Sequence, residues 1–193
     1  IAAYKSSFLV RELIKKGCNV KVIVTESALQ FVTTITLSTL SKNPVYKDFI
    51  KDTSTGEWNN HVELGEWADL FLIAPATAHT ISNLVTGKAD SFFLATFLSC
   101  KSPVFVAPAM DLDMFKNKST QENINVLRKR GLIIIDPDEG ELASGLEGKG
   151  RLREPEDIVA TINQYYLDKA TLKNIKVLIS AGPTYESIDP VRF

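Results

Sequence analysis

Leu70-Phe71-Leu72-Ile73-Ala74-Pro75-Ala76-Thr77-Ala78-His79-Thr80 decides the fold. Residues 70–74 are a short, unbroken apolar run without polar alternation, as in a strand buried on both faces. Pro75 is expected to end the strand, because it has no N–H for a ladder. Thr77 or Thr80 can then cap a helix. The same succession recurs on both sides. Residues 20–24 read as a strand, and Thr25-Glu26-Ser27 as the turn that opens a second helix. Residues 104–107 read as a strand ended by Pro108, and residues 132–135 as a further strand.

Helical patterns lie between these strands. Phe8, Leu9, Leu13 and Ile14 recur at helical spacing, with Lys15, Lys16 and Gly17 closing that helix. Residues 62–67, 90–98, 117–130 and 156–167 read as helices, the third stopped by Gly131 and the last introduced by Pro155. Residues 41–60 read as polar and irregular. Alternating strands and helices predict an α/β protein with a parallel sheet covered on both faces. Ligands of such sheets bind beyond the carboxyl ends of the strands. Three segments occupy that place here: 25–27, 75–80 and 108–114.

Composition narrows the function. The 193 residues suffice for one α/β domain of ordinary size and a short tail. With 22 basic and 23 acidic residues the net charge is -1, which gives no electrostatic reason for a nucleic-acid partner. No apolar run approaches the roughly 20 residues needed to span a bilayer, and no secretory leader pattern is present. The two cysteines, Cys18 and Cys100, are no disulfide framework and read as reduced thiols of a cytoplasmic protein. With only His61 and His79, no metal-ligand spacing arises.

Four segments can carry chemistry. His61, just before a short helix, is a candidate acid or base near neutral pH, although a lone His is more often structural. The stretch 74–80 offers small side chains, hydroxyls and helix amides, suited to a phosphate or a ring edge; an ordinary capped helix is the alternative. The stretch 107–115 holds both methionines, Met110 and Met114, with Asp111 and Asp113. The stretch 139–151 has four glycines in thirteen residues and reads as a flexible flap, with a solvated loop as the alternative.

Taken in order, these segments resemble the homo-oligomeric flavin-containing cysteine decarboxylases. The likeness is greatest to the bifunctional phosphopantothenoylcysteine decarboxylase/phosphopantothenate–cysteine ligases. Ile1-Ala2-Ala3-Tyr4-Lys5 resembles the family's Gly-rich turn with its glycines missing, as expected of a fragment whose first strand is absent. His61-Val62-Glu63-Leu64 with Trp67-Ala68-Asp69 resembles the stretch carrying the family's catalytic histidine. Residues 108–115 resemble its substrate motif, with Asp111 where Asn is usual. Ser144 stands where the family usually has Cys, and His79 where it commonly has Asn. Ala181-Gly182-Pro183-Thr184 and Asp189-Pro190-Val191-Arg192 resemble the start of the fused ligase domain.

The resemblance implies a Rossmann-like/flavodoxin-like three-layer sandwich. It places an FMN-dependent decarboxylase domain at 1–170 and the truncated start of a ligase domain at 171–193. Ligase activity is then expected only of a longer protein. The implied reaction decarboxylates 4′-phosphopantothenoylcysteine to 4′-phosphopantetheine in coenzyme A biosynthesis. Loss of CO2 from beside a saturated carbon would leave an unstabilised carbanion. Oxidation of the cysteinyl CH2–SH to a thioaldehyde by the flavin provides the electron sink, and the ene-thiolate product is later reprotonated and reduced.

In that scheme His61 handles the thiol and Ser144 replaces a proton donor. Asp111, Met110 and Ala143 meet the substrate. Ala2, Thr25, Glu26, Ser27, Thr77, Ala78, His79, Thr80 and Ala109 hold FMN. An ionised Asp111 would repel a carboxylate, so it is protonated, turned aside or used to weaken the ground state. The implied assembly is a homotrimer or a multiple of three, such as a dodecamer, with FMN between subunits. Three rivals share the fold: a peptidyl-cysteine decarboxylase, opposed by the ligase-like tail; a non-catalytic FMN-binding regulatory subunit, opposed by His61; and a flavin prenyltransferase, which should lack the flap and the His61 motif.

Overall fold

The apolar run that starts at Leu70 forms the first strand of a three-stranded parallel sheet, and the chain reaches it through a smaller parallel pair. The computed structural model describes residues 1–169 together with Lys176 and Leu178. The strand expected at 176–180 and the ligase-like residues after it lie outside the described residues. The chain divides into two units, Ile1–Ile162 and Asn163–Phe193. Within the second, the Tyr165 and Tyr166 rings meet edge to face at 5.3 Å.

A tight helical turn, Ala2–Lys5, leads into α1 (Ser6–Lys15), which ends as expected at Gly17, where φ is 85°. The expected strand at 20–24 shortens to β1 (Val22–Ile23), with Val24 N–H adding one more bond to the Tyr46 carbonyl at 2.9 Å. The second helix does not open at Thr25-Glu26-Ser27. A single tight turn, Glu26–Gln30, fills that place, and α2 (Thr34–Ser41) starts later, where the Thr33 hydroxyl accepts from Thr36 N–H.

The region expected to be irregular contains three strands: β2 (Val45–Tyr46), parallel to β1, and the antiparallel pair β3 (Ile50–Asp52) and β4 (Glu57–Trp58). The β3–β4 pair is exposed and carries little apolar alternation, and β2 is only two residues long, so the hydrophobic pattern gave no sign of them. α3 (His61–Trp67) follows.

β5 (Phe71–Ala76) pairs in parallel with β6 (Val104–Pro108), which pairs in parallel with β7 (Ile133–Ile134). Pro108 is the last residue of its strand, as expected, whereas Pro75 lies inside its strand, contrary to the expectation. Pairing skips from Ile73 to Ala76, so the ladder passes the missing donor of Pro75 by a shift of register. α4 (Ala78–Thr86) and α5 (Phe92–Ser99) connect β5 to β6. α6 (Leu112–Lys116) and α7 (Lys118–Lys129) connect β6 to β7. Ile73 and Val106 from the strands, with Ile81, Leu84, Ile124 and Leu127 from α4 and α7, form the main core. A second cluster, Val10, Val24, Val32 and Leu37, joins α1 and α2 to β1.

The glycine-rich flap is an ordered antiparallel hairpin, β8 (Asp138–Glu141) and β9 (Glu147–Arg151). α8 (Pro155–Asp168) follows. The hairpin's end is fixed by a buried cation. Lys5, 7% exposed, donates from Nζ to the Leu152 carbonyl at 3.2 Å and to Glu154 Oε1 at 2.9 Å. Arg151 Nη2 donates to the same carboxylate oxygen at 2.6 Å.

The hydrogen bond from Lys5, then the charges of Lys5 and Arg151, hold the Glu154 carboxyl below its ordinary range against the opposing effect of burial. A carboxyl depressed in the fold stabilises it above its unfolded value of about 4.3, and the contribution is lost as pH falls through the lower folded value. Glu154→Gln is expected to weaken the fold at pH 7, since Lys5 stays buried without its carboxylate counter-charge, and to flatten the acid side of the stability profile. Urea unfolding across that range measures both. An unchanged acid slope would mean that Glu154 titrates alike in the folded and unfolded chains.

Candidate active site

The carboxyl ends of β5 and β6 meet at a shelf of small residues. Ala76 lies opposite Pro108, and Ala109 N–H donates to the Ala76 carbonyl at 3.0 Å. Ala76 is 0% exposed and Ala109 9%, so the shelf is formed by backbone and methyl groups. At its edge α4 begins. The Thr77 hydroxyl accepts from Thr80 N–H at 3.2 Å and lies 3.1 Å from the Thr80 hydroxyl. The Thr77 carbonyl accepts from Ile81 N–H at 2.9 Å. The amides of Ala78 and His79 have no acceptor within the helix and suit an anion. The His79 ring is exposed and its Nε2 lies 3.0 Å from Asn83 Nδ2.

The segment after β6 is tied to the hairpin. Met110 N–H donates to the Gly150 carbonyl at 3.0 Å. A Cβ on Gly150 would stand 2.3 Å from the Met110 carbonyl oxygen, and one on Gly148 2.7 Å from Leu112 Cδ1. At position 150 the obstacle is backbone and only glycine permits the approach, whereas at position 148 it is the end of the Leu112 side chain, which can move. Asp111 caps α6 with its backbone, its carbonyl accepting from Phe115 N–H at 2.9 Å, while its half-buried carboxylate has no partner among the described residues. At the hairpin tip Ala143 and Ser144 are exposed, and Ser144 Oγ accepts weakly from Leu146 N–H at 3.4 Å.

His61 is the first residue of α3. Asn60 Oδ1 accepts from Val62 N–H at 3.1 Å and Glu63 N–H at 3.2 Å, which fixes the backbone there. The His61 ring meets Phe49 edge to face, centroids 5.6 Å apart. Its Nδ1 is buried without a hydrogen-bond partner among the described residues. Such an atom is costly unless a ligand or another chain meets it.

The structure therefore brings together Ala76, Thr77, Ala78, Thr80, Ala109, Met110, Asp111 and the base of the hairpin. The turn Ala2–Lys5 also packs on β5. Thr25, Glu26 and Ser27 follow β1 and are exposed; the Glu26 carboxylate is engaged by Lys47 at 2.5 Å. No hydrogen bond or ring contact among the described residues joins His61 to the hairpin tip. Sequence reasoning missed Asn60, although an Asn before a helix is a capping signal. It also missed Phe49, which lies in the region that gave no pattern.

A parallel α/β sheet with small residues, hydroxyls and open helix amides at its strand ends defines a parallel α/β protein whose strand ends suit a phosphate-bearing ligand. Comparison with known proteins is more specific. The Flavoprotein family matches residues 1–167, and the DNA/pantothenate metabolism flavoprotein C-terminal domain matches residues 172–193. A cysteine/cysteine sulfinic acid decarboxylase from an unknown prokaryotic organism is 52% identical over 84% of this chain and 46% of its own length. The coenzyme A biosynthesis bifunctional protein CoaBC of Bacillus subtilis (strain 168) is 44% identical over 100% of this chain and 48% of its own. The chain thus spans about half the length of these curated relatives. A solved PPC decarboxylase, a Cys-to-Ser mutant complexed with pantothenoylaminoethenethiol, superposes with a TM-score of 0.75 at 30% identity, covering 86% of this chain and 92% of that one. The chain belongs to the Flavoprotein family, and its cofactor class is a flavin. The shelf at Ala76 and Ala109, with the open α4 amides beside it, fits a flat ring system carrying a phosphate.

Proposed function

We propose that this domain decarboxylates 4′-phosphopantothenoylcysteine to 4′-phosphopantetheine, a step of coenzyme A biosynthesis, with FMN as its flavin. One observation carries the reading most: the Met110–Gly150 hydrogen bond unites the 108–115 motif with the glycine hairpin at the strand ends. Support also comes from the PPC decarboxylase superposition and from full-chain identity to the coenzyme A bifunctional protein.

Bound FMN supplies reversible two-electron chemistry at the thiol-bearing carbon. Ala78 and His79 amides, with Thr77 and Thr80 hydroxyls, hold its phosphate or ring edge, and Ala109 and Ala2 allow its close approach. Thr25 and Ser27 flank it from the end of β1. Glu26 contributes backbone only, because Lys47 occupies its carboxylate. His61 takes the thiol proton of the substrate. Met110 and Ala143 line the substrate, and Ser144 on the hairpin tip offers a hydroxyl to the intermediate. No hydrogen bond or ring contact among the described residues joins His61 to the hairpin tip, which favours a homotrimer, or a multiple of three, whose sites are completed by a second copy.

Asp111 favours a second substrate reading. The relative at 52% identity is named for cysteine and cysteine sulfinic acid. Both carry a free α-ammonium group, which phosphopantothenoylcysteine has lost to its amide. A half-buried carboxylate without a partner among the described residues suits that cation, whereas it repels the carboxylate common to all three.

The protein reconstituted with FMN is expected to be yellow and to turn over 4′-phosphopantothenoylcysteine. Parallel incubations with that substrate, cysteine and cysteine sulfinic acid, followed by mass spectrometry of the products, decide between the readings. No flavin absorbance above a free-dye control would sink the cofactor assignment. Turnover of the free amino acids alone would replace the first reading by the second.

A further inference from the structure

We infer that Phe49 is the positioning residue for the His61 imidazole. The inference rests on His61 serving as the acid–base group of the proposed reaction. A reactive histidine is normally oriented by a hydrogen bond at its other ring nitrogen, which also selects the tautomer. His61 has none: Nδ1 is buried and unpartnered among the described residues. Among the described residues of the chain itself, the contact that orients the ring is packing.

The ring that packs on it is Phe49, at 5.6 Å and 84°. Phe49 is in turn held by Phe92, at 5.6 Å and 80°, and Phe92 is 1% exposed and stacks on Tyr46 at 6.0 Å. The column Tyr46, Phe92, Phe49, His61 thus runs from the core to the imidazole. Edge-to-face contacts have a preferred geometry, so they restrict rotation where an aliphatic contact would not. The backbone on both sides of the contact is fixed as well. Asn59 N–H donates to the Phe49 carbonyl at 2.7 Å, and Asn59 Nδ2 to the Asp48 carbonyl at 2.8 Å. These bonds close the β3–β4 hairpin and bring Phe49 back beside residue 61. That hairpin is exposed on both strands and buries almost nothing itself, so returning Phe49 to His61 is a role that its packing alone does not explain.

The test compares Phe49→Leu, which keeps bulk without a ring, with Phe49→Tyr, which keeps the ring. Two histidines make the imidazole signals simple to assign by NMR, with His79→Gln identifying the other. In the wild type the carbon-bound ring protons of His61 should show a ring-current shift. Phe49→Leu should remove the shift and lower kcat about tenfold, with KM within about twofold. Phe49→Tyr should restore both. Unchanged His61 resonances in a folded Phe49→Leu protein would overturn the inference. Resonances that move while kcat stays at the wild-type value would overturn the acid–base role of His61 and leave the packing role of Phe49 in place.

Discussion

His61→Asn is expected to lower decarboxylation by about a hundredfold to ten-thousandfold, the range that a positioned acid–base group contributes. Asn preserves the polarity and much of the size of imidazole but cannot accept a proton near neutral pH. The helix should survive, because its N-terminus is capped by Asn60 and not by His61. If His61 handles the thiol, the substitution stops the reaction before any electron transfer, so flavin reduction and CO2 release fail together. Ser144 acts later in the same scheme. Ser144→Ala should leave flavin reduction nearly intact and slow only product formation, and Ser144→Cys should speed that last step, because a thiol is a far stronger acid than a hydroxyl. Stopped-flow absorbance at the flavin band with product mass spectrometry separates the two. Flavin reduction at the wild-type rate in His61→Asn would remove His61 from the mechanism. A block of flavin reduction in Ser144→Ala would give the hairpin a role in substrate binding instead of proton supply.

How much of this was legible depended on whether residues announced themselves locally. The core of the parallel sheet did, because Phe71, Leu72 and Ile73 or Val104, Phe105 and Val106 form unbroken apolar runs between helical periods. The capping hydroxyl of Thr77 did too, since it acts three residues along its own chain. Pro75 misled, because a ladder can pass a residue without an N–H by shifting its register, whereas Pro108 does end its strand. The β3–β4 hairpin was invisible, as Ile50, Lys51 and Asp52 are all exposed and no buried face imposes alternation. Phe49 was lost with it. Its importance lies in a contact across twelve residues, which no local pattern encodes. The four glycines at 139–151 were seen but read as flexible. Gly150 is required instead by the close approach of the Met110 backbone, and Gly148 packs on the Leu112 side chain, so the same composition produces an anchored hairpin. Glycine content alone does not distinguish freedom from close approach.

That distinction gives the second large effect, at Gly150→Ala. An added Cβ would lie 2.3 Å from the Met110 carbonyl oxygen. The obstacle is backbone, so no side-chain rotation can relieve it. The same pair of residues shares the hydrogen bond from Met110 N–H to the Gly150 carbonyl, and separating them breaks it. Overpacking typically costs about 1–3 kcal/mol, and the broken bond adds about 1 kcal/mol. The base of the hairpin remains clamped, because Arg153 Nε donates to Asp138 Oδ1 at 3.2 Å and Arg151 to Glu154 at 2.6 Å. The damage should therefore fall on the contact between β9 and the 110–112 segment, freeing the hairpin tip while the sheet persists. Limited proteolysis should cut between residues 139 and 151 faster in the variant, and urea unfolding should report the loss of stability. Turnover should fall further than stability alone explains, since the substrate motif and the hairpin no longer move as one. A Gly150→Ala protein with wild-type stability and cleavage would show that the hairpin can yield at no cost, and the tie to Met110 would then constrain nothing.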